Sequence, residues 1–246
     1  MTRHNQPKLF LASRSPRRRQ LLAQAGWQFE IINVGIDETP HEDEKPNEYV
    51  IRMAREKVWA AAQSLLSQQL AAPLCIIGAD TIVVDGNSIL GKPRDDAEAV
   101  IMLTRLRARI HHVYSAIAVL MMKKPTQQFS KSEIIEESCL SEVVMRDYSD
   151  EEIIQYVASG DARDKAGAYA IQNADFHPVS SIKGCYANII GLPMCCLAPI
   201  LLQHNIKPQY PNEDFNHCCL NQRLEDHQRA QCCQTIWNFD ERNEAN

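Results

Sequence analysis

Leu9-Phe10-Leu11-Ala12-Ser13-Arg14-Ser15-Pro16-Arg17-Arg18-Arg19 passes from an apolar run to two hydroxyls, a proline and three consecutive guanidiniums. The run Leu9 to Ala12 reads as a buried strand. Ser15 suits a helix N-cap and Pro16 the first helical position, so a helix is expected from Pro16 to about Ala25, ended by Gly26. Its free backbone N–H groups would then point at an anion. Arginines in a first turn oppose the helix dipole, a conflict that an anionic ligand relieves. A solvated basic turn is the plainer reading of this stretch alone.

Working outward, Trp27 to Val34 reads as a second strand and residues 37–47, acidic with two prolines, as a loop. Pro46 starts a long helix expected to run to about Leu70, with Val50, Ala54, Ala61 and Leu65 on its inward stripe. Lys57 falls in that stripe, whereas Arg52, Arg55 and Glu56 project elsewhere. A lysine so placed either snorkels to water or meets a carboxylate or phosphate. Leu74 to Ala79 is continuous core strand, broken by Asp80-Thr81 before Ile82-Val83-Val84 resumes. Asp85-Gly86 supplies a hairpin turn back to Ile89-Leu90, and Gly91-Lys92-Pro93 closes the unit.

A helix capped by Asp95 or Asp96 follows, with Ala97, Val100, Ile101, Leu103 and Leu106 as its apolar positions. His112 to Met122 and Glu133 to Met145 read as a long antiparallel pair joined by a polar linker containing Pro125. His111-His112, at a strand start, reads as surface. Ser149 and Glu152 have capping-box spacing for a helix that Gly160 ends. Residues 166–172 read as a strand, and a last helix is expected from about Pro193 to Gln203.

The chain has 246 residues, 45% hydrophobic, with a formal charge of −5, enough for one core or two small ones. The negative balance argues against a nucleic-acid coat and makes the arginine cluster local, so its ligand should be compact. The N-terminus lacks the apolar segment of a secretion signal, and no stretch reaches the length of a membrane span, which favours a reducing cytoplasm and no membrane partner. Of nine cysteines, five (Cys75, Cys139, Cys185, Cys195 and Cys196) lie in apolar segments and read as small core residues. No P-loop, dinucleotide glycine fingerprint, His-Glu-x-x-His pair or Gly-x-Ser-x-Gly elbow is present. What remains is a set of cations and N–H donors for a polyphosphate, plus carboxylates, Asp80 and Glu38, able to hold a divalent metal or activate a water.

Six blocks, taken in order, resemble the Maf family of nucleoside triphosphate pyrophosphatases. They are Ser13 to Arg18, Ala54 to Lys57, Gly78 to Thr81, Gly91 to Asp95, Asp164 to Gln172 and Gly191 to Pro193. The resemblance covers about residues 8 to 205. It implies an α/β fold with an elongated mixed sheet flanked by helices, two lobes around a nucleotide cleft, and a homodimer. It also implies hydrolysis of a nucleoside triphosphate to monophosphate and pyrophosphate with Mg2+ or Mn2+. Carried over by position, Asp80, Lys57 and Lys92 are catalytic; Ser13, Arg17, Thr81, Lys165 and Gln172 bind substrate; and Glu38 and Asp80 hold the metal. The Asp-Lys-Ala-Gly-Ala-Tyr-x-Ile-Gln block is similar to the branch acting on dTTP and UTP. The Gln172 amide can donate to and accept from a uracil or thymine edge.

Arg14 and the loop Asn173 to Val179 depart from the family's pattern. A broader or purine-directed specificity therefore stays open, as does a nucleotide-binding regulator of cell division with little catalysis. The expected division is a catalytic domain over residues 1–207 and a polar extension over 208–246. In the extension, Cys218-Cys219 and Cys232-Cys233 suggest a metal site. On one continuous helix, at ~1.5 Å per residue, the doublets would lie about 20 Å apart and could not share an ion, so a peripheral tail with incidental thiols is preferred.

Overall fold

The computed structural model describes residues 6–66, 73–122 and 130–210. The chain opens with β1 (Lys8–Ala12), α1 (Pro16–Gln24), β2 (Glu30–Ile31) and α2 (Pro46–Leu66). The long strand β3 (Leu74–Asp85) follows, with β4 (Ser88–Leu90) as its hairpin partner. Next come α3 (Asp96–Leu106), β5 (Ile110–Met122), β6 (Ile134–Met145), α4 (Asp150–Ala158), β7 (Val179–Lys183), α5 (Tyr186–Ile190) and α6 (Met194–Gln203). One seven-stranded sheet runs in the order β2-β1-β3-β5-β6-β7, with β4 beside β3. The β1–β2 and β1–β3 pairs are parallel and all others antiparallel.

Strand alternation divides the core. Leu9, Leu11, Cys75, Ile77, Ile117 and Val119 face α1, α5 and α6. Phe10, Ala12, Leu74, Ile76, Ala116 and Ala118 face the Val50, Ala54, Ala61 and Leu65 stripe of α2. A third cluster, built on Val83, Val113, Val143 and Met145, joins α3 and α4 at the far end of the sheet. The first two clusters cover the two faces of one end of the sheet and make one lobe; the third makes the other.

The pairing register explains where they part. β1 accompanies β3 only as far as the Ala12–Gly78 pair, and β4 takes up the same edge at Val83. Between them Ala79, Asp80, Thr81 and Ile82 have no strand neighbour on that side among the described residues, while β5 pairs with β3 along its opposite edge throughout. The sheet is notched, and Asp80 stands in the notch.

Gly78 brings α2 to that place. A Cβ there would lie 2.4 Å from the Ala54 carbonyl oxygen and 2.8 Å from Val58 Cγ2, so the helix packs on bare backbone on either side of Lys57. Gly78→Ala is expected to lower unfolding stability by about 1–3 kcal/mol, because the contact is backbone and cannot rotate away. Urea unfolding with an unchanged slope and a lower midpoint would show it.

Several expectations hold. Ser15 caps α1 through the Arg18 N–H, Asp95 caps α3, and Ser149 with Glu152 forms the capping box of α4. Others are corrected. The second strand shrinks to Glu30–Ile31. Residues 166–172 are not a strand: Gly167 (φ 68°) and Ala168 (φ 59°) are left-handed and bend the chain into a single 3-10 turn. A Cβ on Gly167 would also meet Val83 at 3.0 Å. The inward face of α3 is Ala99, Met102, Leu103 and Leu106, which leaves Ile101 66% exposed. His111 is fully buried, its Nε2 2.8 Å from the Tyr169 hydroxyl; burial pushes its pKa down to about 4. The long helix is described to Leu66. Its expected continuation toward Leu70, the Pro125 linker and the cysteine doublets of the extension lie outside the described residues.

Candidate active site

A cleft of about 410 Å³ sits over the notch. Arg14, Arg17, Arg18, Lys57, Lys92 and Lys165 line it against only Glu38, Asp80 and Asp164, so an acidic protein carries a locally cationic cavity. Such a surplus attracts a polyanion.

The Lys57 ammonium lies 2.6 Å from Asp80 Oδ1 and 3.1 Å from Glu38 Oε1. Its side chain is 12% exposed and that of Asp80 13%, whereas Glu38 is 59% exposed. The lysine on the helical stripe thus meets carboxylates, one rooted in the sheet and one on the loop before α2. The Tyr49 hydroxyl donates to the Glu38 backbone carbonyl at 2.8 Å, and Arg52 ties the same loop by bonds to Glu44 and to the Thr39 carbonyl. Burial works to raise the Glu38 carboxyl. The charges of Lys57, Lys92 and Arg18 outweigh it and hold Glu38 below its ordinary range.

Opposite stands Arg18. Its Nε donates to the Gly191 carbonyl at 2.7 Å, one terminal nitrogen to Thr81 Oγ1 at 3.0 Å, and the other reaches Ser13 Oγ at 3.4 Å. Burial lowers its pKa, partly offset by the charge of Asp80. Thr81 Oγ1 also shares a 2.7 Å bond with Ser115 Oγ, which donates to the Asn188 carbonyl at 2.8 Å. Ser13 accepts the Ser15 N–H at 3.1 Å and shapes the turn into α1. Arg17 is different: its Nε is buried with no partner among the described residues, as is that of Arg19, which does not line the cleft. An orphaned guanidinium N–H at the start of a helix lacks an acceptor that an anionic oxygen would provide.

Every expected site residue therefore lines one cleft, with unequal freedom. Lys92 is exposed at the rim. The Gln172 amide makes no hydrogen bond among the described residues and remains open to a ligand. Lys165 is committed: its ammonium donates to the Asp161 carbonyl at 2.6 Å and to the Asp161 and Asp164 carboxylates, both at 2.7 Å. It braces the loop that presents Gln172. Sequence reasoning credited Arg17 and passed over Arg18, Tyr49, Ser115 and the Gly191 carbonyl. Three successive arginines point about 100° apart on a helix, and nothing in the sequence says which turns inward.

A notched α/β sheet whose cleft combines helix N–H donors, a cationic surplus and a lysine-paired strand aspartate defines a protein that takes a phosphorylated ligand beside a carboxylate. The chain belongs to the Maf-like protein family, which it matches over residues 8–204. It is 41% identical over 195 residues to a dTTP/UTP pyrophosphatase of Dictyoglomus turgidum, covering 79% of this chain and 94% of that protein. It is 40% identical over 194 residues to one of Thermoanaerobacter pseudethanolicus (79% and 95%). To one of Shigella sonnei it is 41% identical over 186 residues (76% and 87%). No helix among the described residues is long and apolar enough to cross a membrane.

Proposed function

We propose that this protein hydrolyses nucleoside triphosphates, dTTP and UTP foremost, to the monophosphate and pyrophosphate, in the cytoplasm and as a homodimer. The observation that carries the reading is the Lys57–Asp80 pair standing in the sheet notch under a cationic cleft. The names of the relatives supply the pyrimidine specificity.

In this reading the triphosphate lies between the α1 N-terminus and Lys92, and Arg17 Nε finds its missing acceptor on a phosphate oxygen. Asp80 accepts a proton from a water whose oxygen forms the new bond to the α-phosphorus. The bond from that phosphorus to the bridging oxygen breaks, and pyrophosphate leaves with its charge met by Arg17 and Lys92. Lys57 orients Asp80 through their 2.6 Å ion pair. Glu38 and Asp80 present hard oxygen donors within reach of a single ammonium, which fits Mg2+ or Mn2+. Held by those two carboxylates, such an ion would supply charge neutralisation at the phosphates.

The loop that departs from the family's pattern does not line the cleft. Phe176 buries itself against Tyr156 and Tyr148 at ring distances of 4.4 and 4.8 Å, and Asn173 Oδ1 accepts the Phe176 N–H at 2.7 Å. That anchoring supports base choice by Gln172 itself. Pyrophosphate release with Mg2+ across dTTP, UTP, CTP, GTP, ATP and 7-methyl-GTP is expected to be highest for the first two. Gln172→Ala should narrow the preference for dTTP and UTP by about tenfold, the worth of one or two hydrogen bonds. Equal rates across the panel for the unaltered protein would remove the pyrimidine assignment.

A further inference from the structure

Three of the cysteines that the sequence places in core segments come together. Cys139 lies on β6, Cys195 and Cys196 in the first turn of α6, and their three Sγ atoms all lie within 4.8 Å of one another. The Cys195 and Cys196 sulfurs are 3.9 Å apart. Cys185, just before α5, extends the group through contact with the Cys139 thiol. All are thiols, not disulfides. No other set of three histidine, cysteine or acidic side chains converges in this way among the described residues.

We propose that Cys139, Cys195 and Cys196 form a binding site for a thiophilic metal ion, Zn2+ being the ion that fits best, with Cys185 or a water in the fourth position. Four sulfurs around zinc at about 2.3 Å stand about 3.8 Å from one another. The Cys195–Cys196 separation already meets that spacing, and the other pairs need to contract by less than about 1 Å. The donor set is soft, whereas Glu38 and Asp80 in the cleft offer hard oxygens, so the two sites select different ions. Each of the three cysteines is partly exposed, which leaves a path for the ion and keeps the excess thiolate charge near water.

The site would clip β6 to the helix pair α5–α6. The turn between those helices carries the Gly191 carbonyl that receives Arg18 Nε. A metal here is a brace behind the cleft and takes no part in the chemistry inside it.

The test uses the full chain, freed of metal under reducing conditions and titrated with Zn2+, with Co2+ as the spectroscopic stand-in. Because Cys218, Cys219, Cys232 and Cys233 could also bind, a variant with all four as serine is compared. One equivalent of tightly bound Zn2+, a thiolate-to-cobalt absorption and a Zn2+-dependent rise in Tm should persist in that variant. All three should be lost, with affinity down by about 100-fold or more, in Cys139→Ser and separately in Cys196→Ala. Circular dichroism identifies a variant that has failed to fold, and the other then decides. Zn2+ binding that survives both substitutions in folded protein, that disappears with the four tail cysteines, or that is absent from the unaltered chain overturns the site.

Discussion

Asp80→Asn is expected to cut kcat for dTTP and UTP by about 100- to 10,000-fold, the worth of a positioned proton acceptor, with KM changed little. The amide is nearly isosteric, and Asp80 keeps its place in the β3–β5 register opposite Ala116. What disappears is the charge that Lys57 orients and the lone pair that receives the proton. Pyrophosphate release under saturating nucleotide, alongside an unchanged far-ultraviolet spectrum, is the measurement. A variant retaining full turnover would show that another group takes the proton.

Lys57→Met should be comparably severe for activity and should also move its pH dependence. The ammonium joins two carboxylates at 2.6 and 3.1 Å, and without it Asp80 remains in the notch as a largely buried, uncompensated charge. Removing one partner of a buried pair costs about 3–5 kcal/mol; the partial exposure here places the expected loss near the lower figure. Glu38 provides the pH signature. Its carboxyl is depressed because the charges of Lys57, Lys92 and Arg18 outweigh its burial. A depressed carboxyl stabilises the fold above its unfolded value, and that contribution is lost as pH falls through the folded value. Removing Lys57 takes away the largest opposing charge, so the Glu38 carboxyl rises and the acid limb of kcat/KM moves to higher pH. An acid limb that stays in place would separate Glu38 from the activity.

Much of this arrangement was legible in residue order, because local chemistry and global fold agree there. Ser15-Pro16 is a helix start in any context. An aspartate inside a core strand and a lysine inside a helical stripe each ask for a partner, and the fold is what brings the two to each other. Less legible were features decided by contacts distant in sequence. Residues 166–172 read as a strand, yet Gly167 sits against Val83 and the chain turns there. His111 looks like a strand-end surface residue, yet Tyr169 reaches it across 58 positions. Cys139 and the Cys195-Cys196 pair are ordinary apolar-segment thiols until β6 and α6 lie side by side. Arg18 could not be told from its two neighbours, because its partners Thr81 and Gly191 come from different parts of the chain.

The notch also works as a ruler. From the last β1 partner, Gly78, to the first β4 partner, Val83, β3 advances five steps past four residues unpaired on that edge, about 17 Å at strand rise. β5 runs unbroken along the opposite edge, so this interval is graduated in peptide units and cannot be stretched by moving a loop. On the proposed function, a triphosphate gripped at the α1 end would lie along this fixed edge, and the number of anionic links from the grip would decide which phosphorus meets Asp80. Such an edge would read chain length before base identity.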